Sequence, residues 1–273
     1  MDALITNLNG TEHKLSDFGF QVLNFEESVP TITRTTKSFD GRAGSLDYGG
    51  RHVVKKIIIN GLYWVKSLEQ SDDVRDKINA ALSQTEPFYL TRIYGGRNLY
   101  DVRESGKDFV MPAQTVDKKR FKVYRTDTNL PSIIERTGKG VYYTWSLEFE
   151  TVELPYGESK PRSQTLVSGQ SITYNGTVAC SQLEQAFYFV VTAKVASAGG
   201  FTLTVDGQSL IVTSPVVAGD VYTLSGMNNT RGSQNINDKT NAGYFILHSS
   251  AANKVVCSIS ANIQIKNLCD LYI

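Results

Sequence analysis

Between residues 140 and 152 the chain alternates strictly. Tyr143, Trp145, Leu147 and Phe149 occupy one parity; Thr144, Ser146, Glu148 and Glu150 occupy the other. A period of two with one apolar side predicts a half-buried β-strand. The runs 20–26 (FQVLNFE) and 52–60 (HVVKKIIIN) are also β-rich, and a shorter strand over 119–125 sets Phe121 and Val123 among charged neighbours. One segment changes period. Val74, Ile78, Ala81 and Leu82 fall at i, i+4, i+7 and i+8, a single stripe of a helix spanning 71–84. Ser71 is the expected N-cap, Asp72 and Asp73 suit the positive end of the helix dipole, and Pro87 lies beyond the end. The front of the chain is therefore expected to be a small sheet or open barrel with one amphipathic helix packed on it.

The pattern shifts after residue 165. Short β-branched and aromatic runs alternate with Gly, Asn, Asp and Ser, predicting strands near 166–174, 186–195, 200–206, 208–213, 220–225, 243–249, 254–260 and 261–267. Asp206-Gly207 between two such runs is a strong two-residue hairpin signal, because both central positions want positive φ. The polar segment 226–242 reads as a surface loop. The expected fold class is mainly β with one helix: an N-terminal split-barrel-like α+β domain, then a C-terminal β-sandwich of galectin-like or jelly-roll kind.

Charge draws the boundary between the two. Residues 1–162 hold 45 charged side chains and residues 163–273 hold 10. The junction LPYGESKPRSQ carries Pro155, Gly157 and Pro161 among polar neighbours, the composition of a domain edge. The expected domains are 1–160 and 161–273. With 273 residues and a net charge of +1 the chain is large enough for real cores and lacks a broad electrostatic grip on nucleic acid or anionic membrane. It has no run of 18 apolar residues, and the opening MDALITNLNGTEHKL has neither a basic start nor an apolar core, so neither a membrane span nor a secretory signal is expected.

Little in the sequence points to catalysis. Cys180, Cys257 and Cys269 are odd in number and widely spaced, with no C-x-x-C, and read as buried reduced thiols. His13, His52 and His248 form no zinc-site pattern, so no metal and no cofactor is expected. Carboxylates such as Glu148 and Glu150, which share one strand face, would be the candidates for hydrolysis; a solvated face accounts for them better. Lys118, Lys119, Arg120, Lys122 and Arg125 cluster around Phe121 and Tyr124, a superficial likeness to a base-stacking platform. Asp117, Asp127 and the balanced charge of the domain favour a solvated face or an acidic protein partner. A carbohydrate-binding role for the sandwich is the alternative functional reading, although both tryptophans, Trp64 and Trp145, lie in the other domain.

FDGRAGSLDYGGR, residues 39–51, carries four glycines but lacks the G-K-[ST] ending of a phosphate loop. A long glycine-bearing hairpin or loop is usually functional or disordered rather than idle, and an arm reaching a neighbouring subunit fits it. Asp40, Gly41, Arg42, Gly44, Leu46, Tyr48 and Arg51 are its candidate interface residues.

Taken in order, these segments resemble the distal tail protein family of siphophages, the hub of the tail-tip baseplate. FDGRAGSLDYGGRHVVKKIIING at 39–61 is similar to the family's D-G-x-x-G loop leading into a strand. EPFYLTRIYGGRNLYDVRESG at 86–106 resembles its proline, apolar strand, hairpin and tyrosine passage. WSLEFETVELPYGES at 145–159 resembles the strand that closes on a proline-aromatic turn, here Pro155-Tyr156. SITYNGTVACSQL at 171–183 resembles the opening of the family's galectin-like sandwich. The resemblance implies a structural virion protein and no enzyme. It implies a ring, hexameric in the family, in which N-terminal domains assemble and an arm embraces the neighbour. The implied partners are the tail tube and tape-measure proteins, the tail-associated tip protein, and receptor-binding or adaptor proteins on the C-terminal domain. DNA would pass through the ring, and the protein, made in the host cytoplasm, would reside at the phage tail tip.

Overall fold

A computed structural model of the chain describes residues 1–41, 43–95 and 114–273. It divides into two compact units, Met1–Gly157 and Glu158–Tyr272. The fold is mainly β, with a single α-helix among the described residues. No helix among them is long and apolar enough to cross a membrane.

The first unit is built on β1 (Asp2–Thr6), β2 (Glu12–Lys14), β3 (Gln21–Glu27), β4 (Ile32–Ser38), β5 (Ser45–His52), β6 (Lys56–Val65), α1 (Leu68–Leu82), β7 (Phe88–Tyr94), β8 (Thr115–Arg125), β9 (Ser132–Thr137) and β10 (Gly140–Thr151). The main sheet runs β2-β1-β7-β8-β10-β6-β3, with β9 paired to β10. β10 is its spine: Tyr143, Trp145, Leu147 and Phe149 are all buried, and their alternates lie opposite β6 from Tyr142↔Trp64 to Glu150↔Lys56. Ala3 and Ile5 of β1 enter the same core as Val22 and Phe25 of β3, although these strands lie near opposite ends of the sheet order. Arg92 of β7 also donates to the Phe25 carbonyl of β3. The sheet therefore curls around one core.

The helix closes that core with Ile78, Leu82 and the partly buried Val74. It starts one turn earlier than the S-D-D signal predicts. Ser67, not Ser71, caps it, accepting from the Gln70 N–H at 3.3 Å, while Gln70 Oε1 reaches back to the Lys66 N–H at 2.9 Å. Ser71 is instead buried in the helical stripe, its hydroxyl 3.0 Å from the Tyr63 hydroxyl. Ser67 and Ser71 are one turn apart and offer the same acceptor, so the reach-back from Gln70 decides between them.

In the second unit one sheet runs Arg162–Leu166, Ala261–Leu268, Tyr188–Ala193, Val221–Leu224, Thr230–Arg231, Gln234–Asn235; another runs Gln208–Val212, Phe201–Val205, Val255–Cys257. Residues of alternate parity from both sheets are buried, as in a two-layer sandwich. Phe189 meets Phe245 edge-on at 5.2 Å, and Phe201 meets Tyr222 at 4.9 Å. Asp206 and Gly207 both take positive φ in the two-residue turn that pairs Val205 with Gln208.

Two expectations fail here. The first strand stops at Leu166, because a turn at Ser168 and Gly169, with φ +97° at the glycine, breaks the run expected to reach residue 174. The segment 226–242 is no featureless loop. It contains two short strands and a 3-10 turn (Asn237–Lys239), and it buries Ile236 and Asn229, whose Oδ1 accepts from the Ser225 and Gly226 N–H groups. Asparagine amides replace apolar contacts as its organising force, which hydropathy does not register.

The outer edge of Gln208–Val212 is covered. Asn241 accepts from the Ile211 N–H and donates to the Ser209 carbonyl, and the Asn241 N–H donates to the Ile211 carbonyl. Thr213 and Gln208 bond Lys239 and Ile246 in the same way. All three cysteines are buried free thiols.

Candidate functional site

The hairpin β4–β5 forms its own two-stranded sheet. It grows from the main sheet without a change of partner. β3 pairs with β6 up to Glu27↔Ile57, and β4 pairs with β5 from Ile32↔His52. Four residues intervene on each strand, Ser28–Thr31 and Val53–Lys56, so one antiparallel ribbon continues in register from the core into solvent. Across this neck the Ser28 N–H donates to the Lys56 carbonyl, the Thr31 N–H to the Val54 carbonyl and the Val53 N–H to the Thr31 carbonyl. At about 3.3 Å per residue, the seven residues of β4 carry the ribbon about 23 Å.

All seven residues of β4 are exposed, and β5 is exposed except for the half-buried Leu46 and His52. No apolar face forms, because ITRTTKS offers only Ile32 and SLDYGGRH only Leu46 and Tyr48. The ribbon is held by its ladder and by local pairs: Arg34 to Asp47, and Lys37 Nζ 5.1 Å above the Phe39 ring. The Arg34 guanidinium, with the Gly49 N–H, holds the Asp47 carboxyl below its ordinary range. A lone two-stranded ribbon is marginal in water. Its two edges are bare, and Ile32, Phe39 and Tyr48 are exposed on it.

The predicted interface residues are distributed over this ribbon. Asp40, Gly41 and Gly44 form the tip, both glycines with φ near +80°. Leu46 pairs with Lys37 and Arg51 with Thr33 along the shaft. Arg42 lies outside the described residues, as does the end of the 86–106 passage. Gly49 and Gly50 are in strand β5 rather than in the loop; a Cβ on Gly50 would come within 3.1 Å of Ile32 Cγ2. With Thr33, Thr35, Tyr48 and Arg51 these glycines line a shallow notch of about 220 Å³.

Sequence reasoning missed the root of the hairpin. Glu27 Oε1 accepts from Lys119 Nζ at 2.7 Å, and Lys55 Nζ sits 2.8 Å from Oε2 as an ion pair without the alignment of a hydrogen bond. On the other strand His52 Nδ1 lies 3.0 Å from the Tyr156 hydroxyl, with the rings edge-on at 5.7 Å. Burial alone would raise the Glu27 carboxyl, but the two lysines outweigh it and hold it below its ordinary value. These partners lie far apart in the chain, and no local spacing announces them.

The basic cluster of β8 is largely answered from within. Lys119 pairs with Glu27 and Lys122 with Glu153; Arg125 pairs with Asp127 at 2.9 Å and lies 5.2 Å from the Trp145 ring. Arg120 stacks on Tyr89 at 3.7 Å. Phe121 is buried, so the base-stacking likeness dissolves: one of its two rings is core. Glu150 lies 3.4 Å from Lys56 and accepts from the Tyr124 hydroxyl, while the Glu148 N–H donates to Asp127. Among the described residues no group of His, Cys, Asp and Glu could hold a metal ion.

No protein-family model matches the chain, and no curated protein matches it. Solved structures do. Two structures of the phage p2 baseplate in its activated conformation, one with Sr and one with Ca, match at TM-score 0.38 with 9% and 8% identity over 100% of this chain and 99% of theirs. The crystal structure of SPP1 Dit (gp 19.1), described as a paradigm of the hub adsorption apparatus in phages infecting Gram-positive hosts, matches at TM-score 0.64 and 9% identity over 99% of both chains. Across both units, then, the chain has the β-rich fold of that phage Dit protein.

Proposed function

We propose that this chain is a distal tail protein, a structural component of a phage tail tip that assembles through its N-terminal domain into a ring. The observation that carries the reading is the exposed hairpin β4–β5, set in a chain whose fold follows SPP1 Dit from end to end. A ribbon with bare edges on one side of a domain suits a heterologous, head-to-tail contact, and such contacts make a ring when the rotation between neighbours closes. The subunit number, six, is the family's. In this reading the arm residues Asp40, Gly41, Arg42, Gly44, Leu46, Tyr48 and Arg51 lie against the neighbouring copy. The tail tube and tape-measure proteins lie above the ring, the tip protein lies below, and DNA passes through the opening. The C-terminal domain, 161–273, is an appendage for receptor-binding or adaptor proteins. The role is that of a scaffold, at home in the virion.

The test is assembly. Native mass spectrometry and negative-stain imaging of the full chain should show a ring with a central hole, and replacing residues 33–51 by a short Gly-Ser turn should leave folded monomers. Rings that persist without the hairpin would sink the assignment of the arm, and a monomer at every concentration and on isolated tails would sink the ring.

A further inference from the structure

The hairpin has no hydrophobic packing of its own to fix its direction, since every residue of β4 is exposed. What fixes it lies at the neck. Glu27 is the last residue of β3, where the outgoing strand leaves the sheet. Lys55 immediately precedes β6, where the returning strand re-enters. Lys119 belongs to β8 of the main sheet. The Glu27 carboxylate holds both lysines, one on each oxygen. Lys55 has only 3% of its side chain exposed, and an ammonium so deeply buried is tolerable only with its counter-charge in place. Its main chain is pinned as well: the N–H donates to Thr151 Oγ1 and the carbonyl accepts from the Thr151 N–H, both at 3.0 Å. Both ammonium groups lie near the Phe121 ring, at 5.3 and 5.8 Å. The contacts thus join the outgoing strand, the returning strand and the fixed sheet at one carboxylate.

We propose that the Lys55–Glu27–Lys119 clamp sets the direction in which the hairpin leaves the sheet, with Glu27 as its positioning residue. Beyond Glu27 remain the sparse neck ladder of Ser28–Thr31 against Val53–Lys56 and the one His52–Tyr156 contact. Without the clamp the ribbon stays formed and swings about this neck. The inference concerns the isolated chain and stands apart from the ring reading.

The test places nitroxide labels at Thr35→Cys on the hairpin and Lys77→Cys on α1; the native thiols are buried. Glu27→Gln should broaden the Thr35–Lys77 distance distribution. It should also speed exchange of the Thr31 and Val53 amides about a hundredfold, while the Leu147 and Phe149 amides keep the parent rate. Lys119→Arg alone, which keeps the cation beside Glu27, should retain the narrow distribution. An unchanged distribution in folded Glu27→Gln would overturn the proposal, and so would acceleration shared equally by Leu147 and Phe149, which marks general loss of stability. If Glu27→Gln does not fold, Lys119→Met decides, since it spares the Lys55 pair. Broadening there supports the clamp and a parental distribution refutes it.

Discussion

His52 Nδ1 and the Tyr156 hydroxyl meet at 3.0 Å across 104 positions of sequence. His52 is the last residue of β5, and Tyr156 belongs to the proline-aromatic turn that follows β10. The contact ties the returning strand of the hairpin to the end of the first unit. It places Pro155-Tyr156, which the sequence offers only as a turn, in the support of the arm. Gly157 follows at once, and a Cβ there would meet the Phe121 ring at 2.8 Å.

Tyr156→Phe removes that hydrogen bond and keeps the ring. The expected cost is about 1 kcal/mol, read as a lower urea midpoint for the first unit with unchanged slope. His52→Ala, which also loses the ring contact, should cost more. Equal stability of Tyr156→Phe and parent would show that the bond contributes nothing.

The second unit should depend on Asp270. This buried carboxylate takes both terminal nitrogens of Arg162, at 2.7 and 2.8 Å, and the Asn175 N–H at 3.0 Å. Asp270→Ala leaves a guanidinium without its partner where the last strand meets the first. The expected loss is about 3 kcal/mol, the low end for a buried pair because nearly a third of Arg162 remains in water. Calorimetry that finds the second unit melting as in the parent would contradict this.

Acid should weaken the first unit. Asp127 is nearly buried. Burial would raise its carboxyl, but Arg125 and the Glu148 and Asn129 N–H groups lower it further than burial raises it. Glu27 is lowered by its two lysines. A carboxyl lowered by folding stabilises fully above its unfolded value, here 3.8 and 4.5, and loses that contribution as pH falls through the folded value. Urea midpoints of the first unit should fall below about pH 4.5, and Asp127→Asn should flatten the profile. A profile that rises toward acid would reverse the sign of the argument.

Two glycines of the second unit should behave oppositely. Gly200 has φ +78°, and a Cβ there would meet the Val212 carbonyl oxygen at 1.8 Å. Gly207 has φ +84° with open space around it. Gly200→Ala is expected to cost more than about 3 kcal/mol, a clash added to the strain of a left-handed residue. Gly207→Asn should stay within about 1 kcal/mol. Thermal melts of the two variants separate them, and similar melting temperatures would refute the contrast.

Burial pushes the Cys180 thiol well above its ordinary value and raises that of Cys257. All three cysteines should resist a thiol reagent in the native chain and react at once in denaturant. Prompt native labelling of even one would place it at the surface.

Period and charge made much of this legible. The alternation through Tyr143, Trp145, Leu147 and Phe149 identified the spine of the sheet because one face is core and the other is wet. The stripe of Val74, Ile78 and Leu82 identified the helix, but the S-D-D signal put its start at Ser71, one turn after the Ser67 cap. β4 escaped as a strand because Thr33, Arg34, Thr35 and Thr36 have no apolar parity, and its partner β5 looked like loop because Gly49 and Gly50 interrupt it. The candidate arm was visible as a glycine-rich stretch, yet what supports it was not: Glu27, Lys55 and Lys119 meet only after three strands are laid side by side. The asparagine-built segment around Asn229 was hidden for a related reason, since side-chain amides bonding to backbone leave no trace in a hydropathy profile.

The amide side chain of Asn241 seals the rim of Gln208–Val212. Wherever identical modules meet at high concentration, open strand borders invite runaway zipping into fibres. One asparagine thus stoppers that border and takes one zipping edge of the second unit out of play.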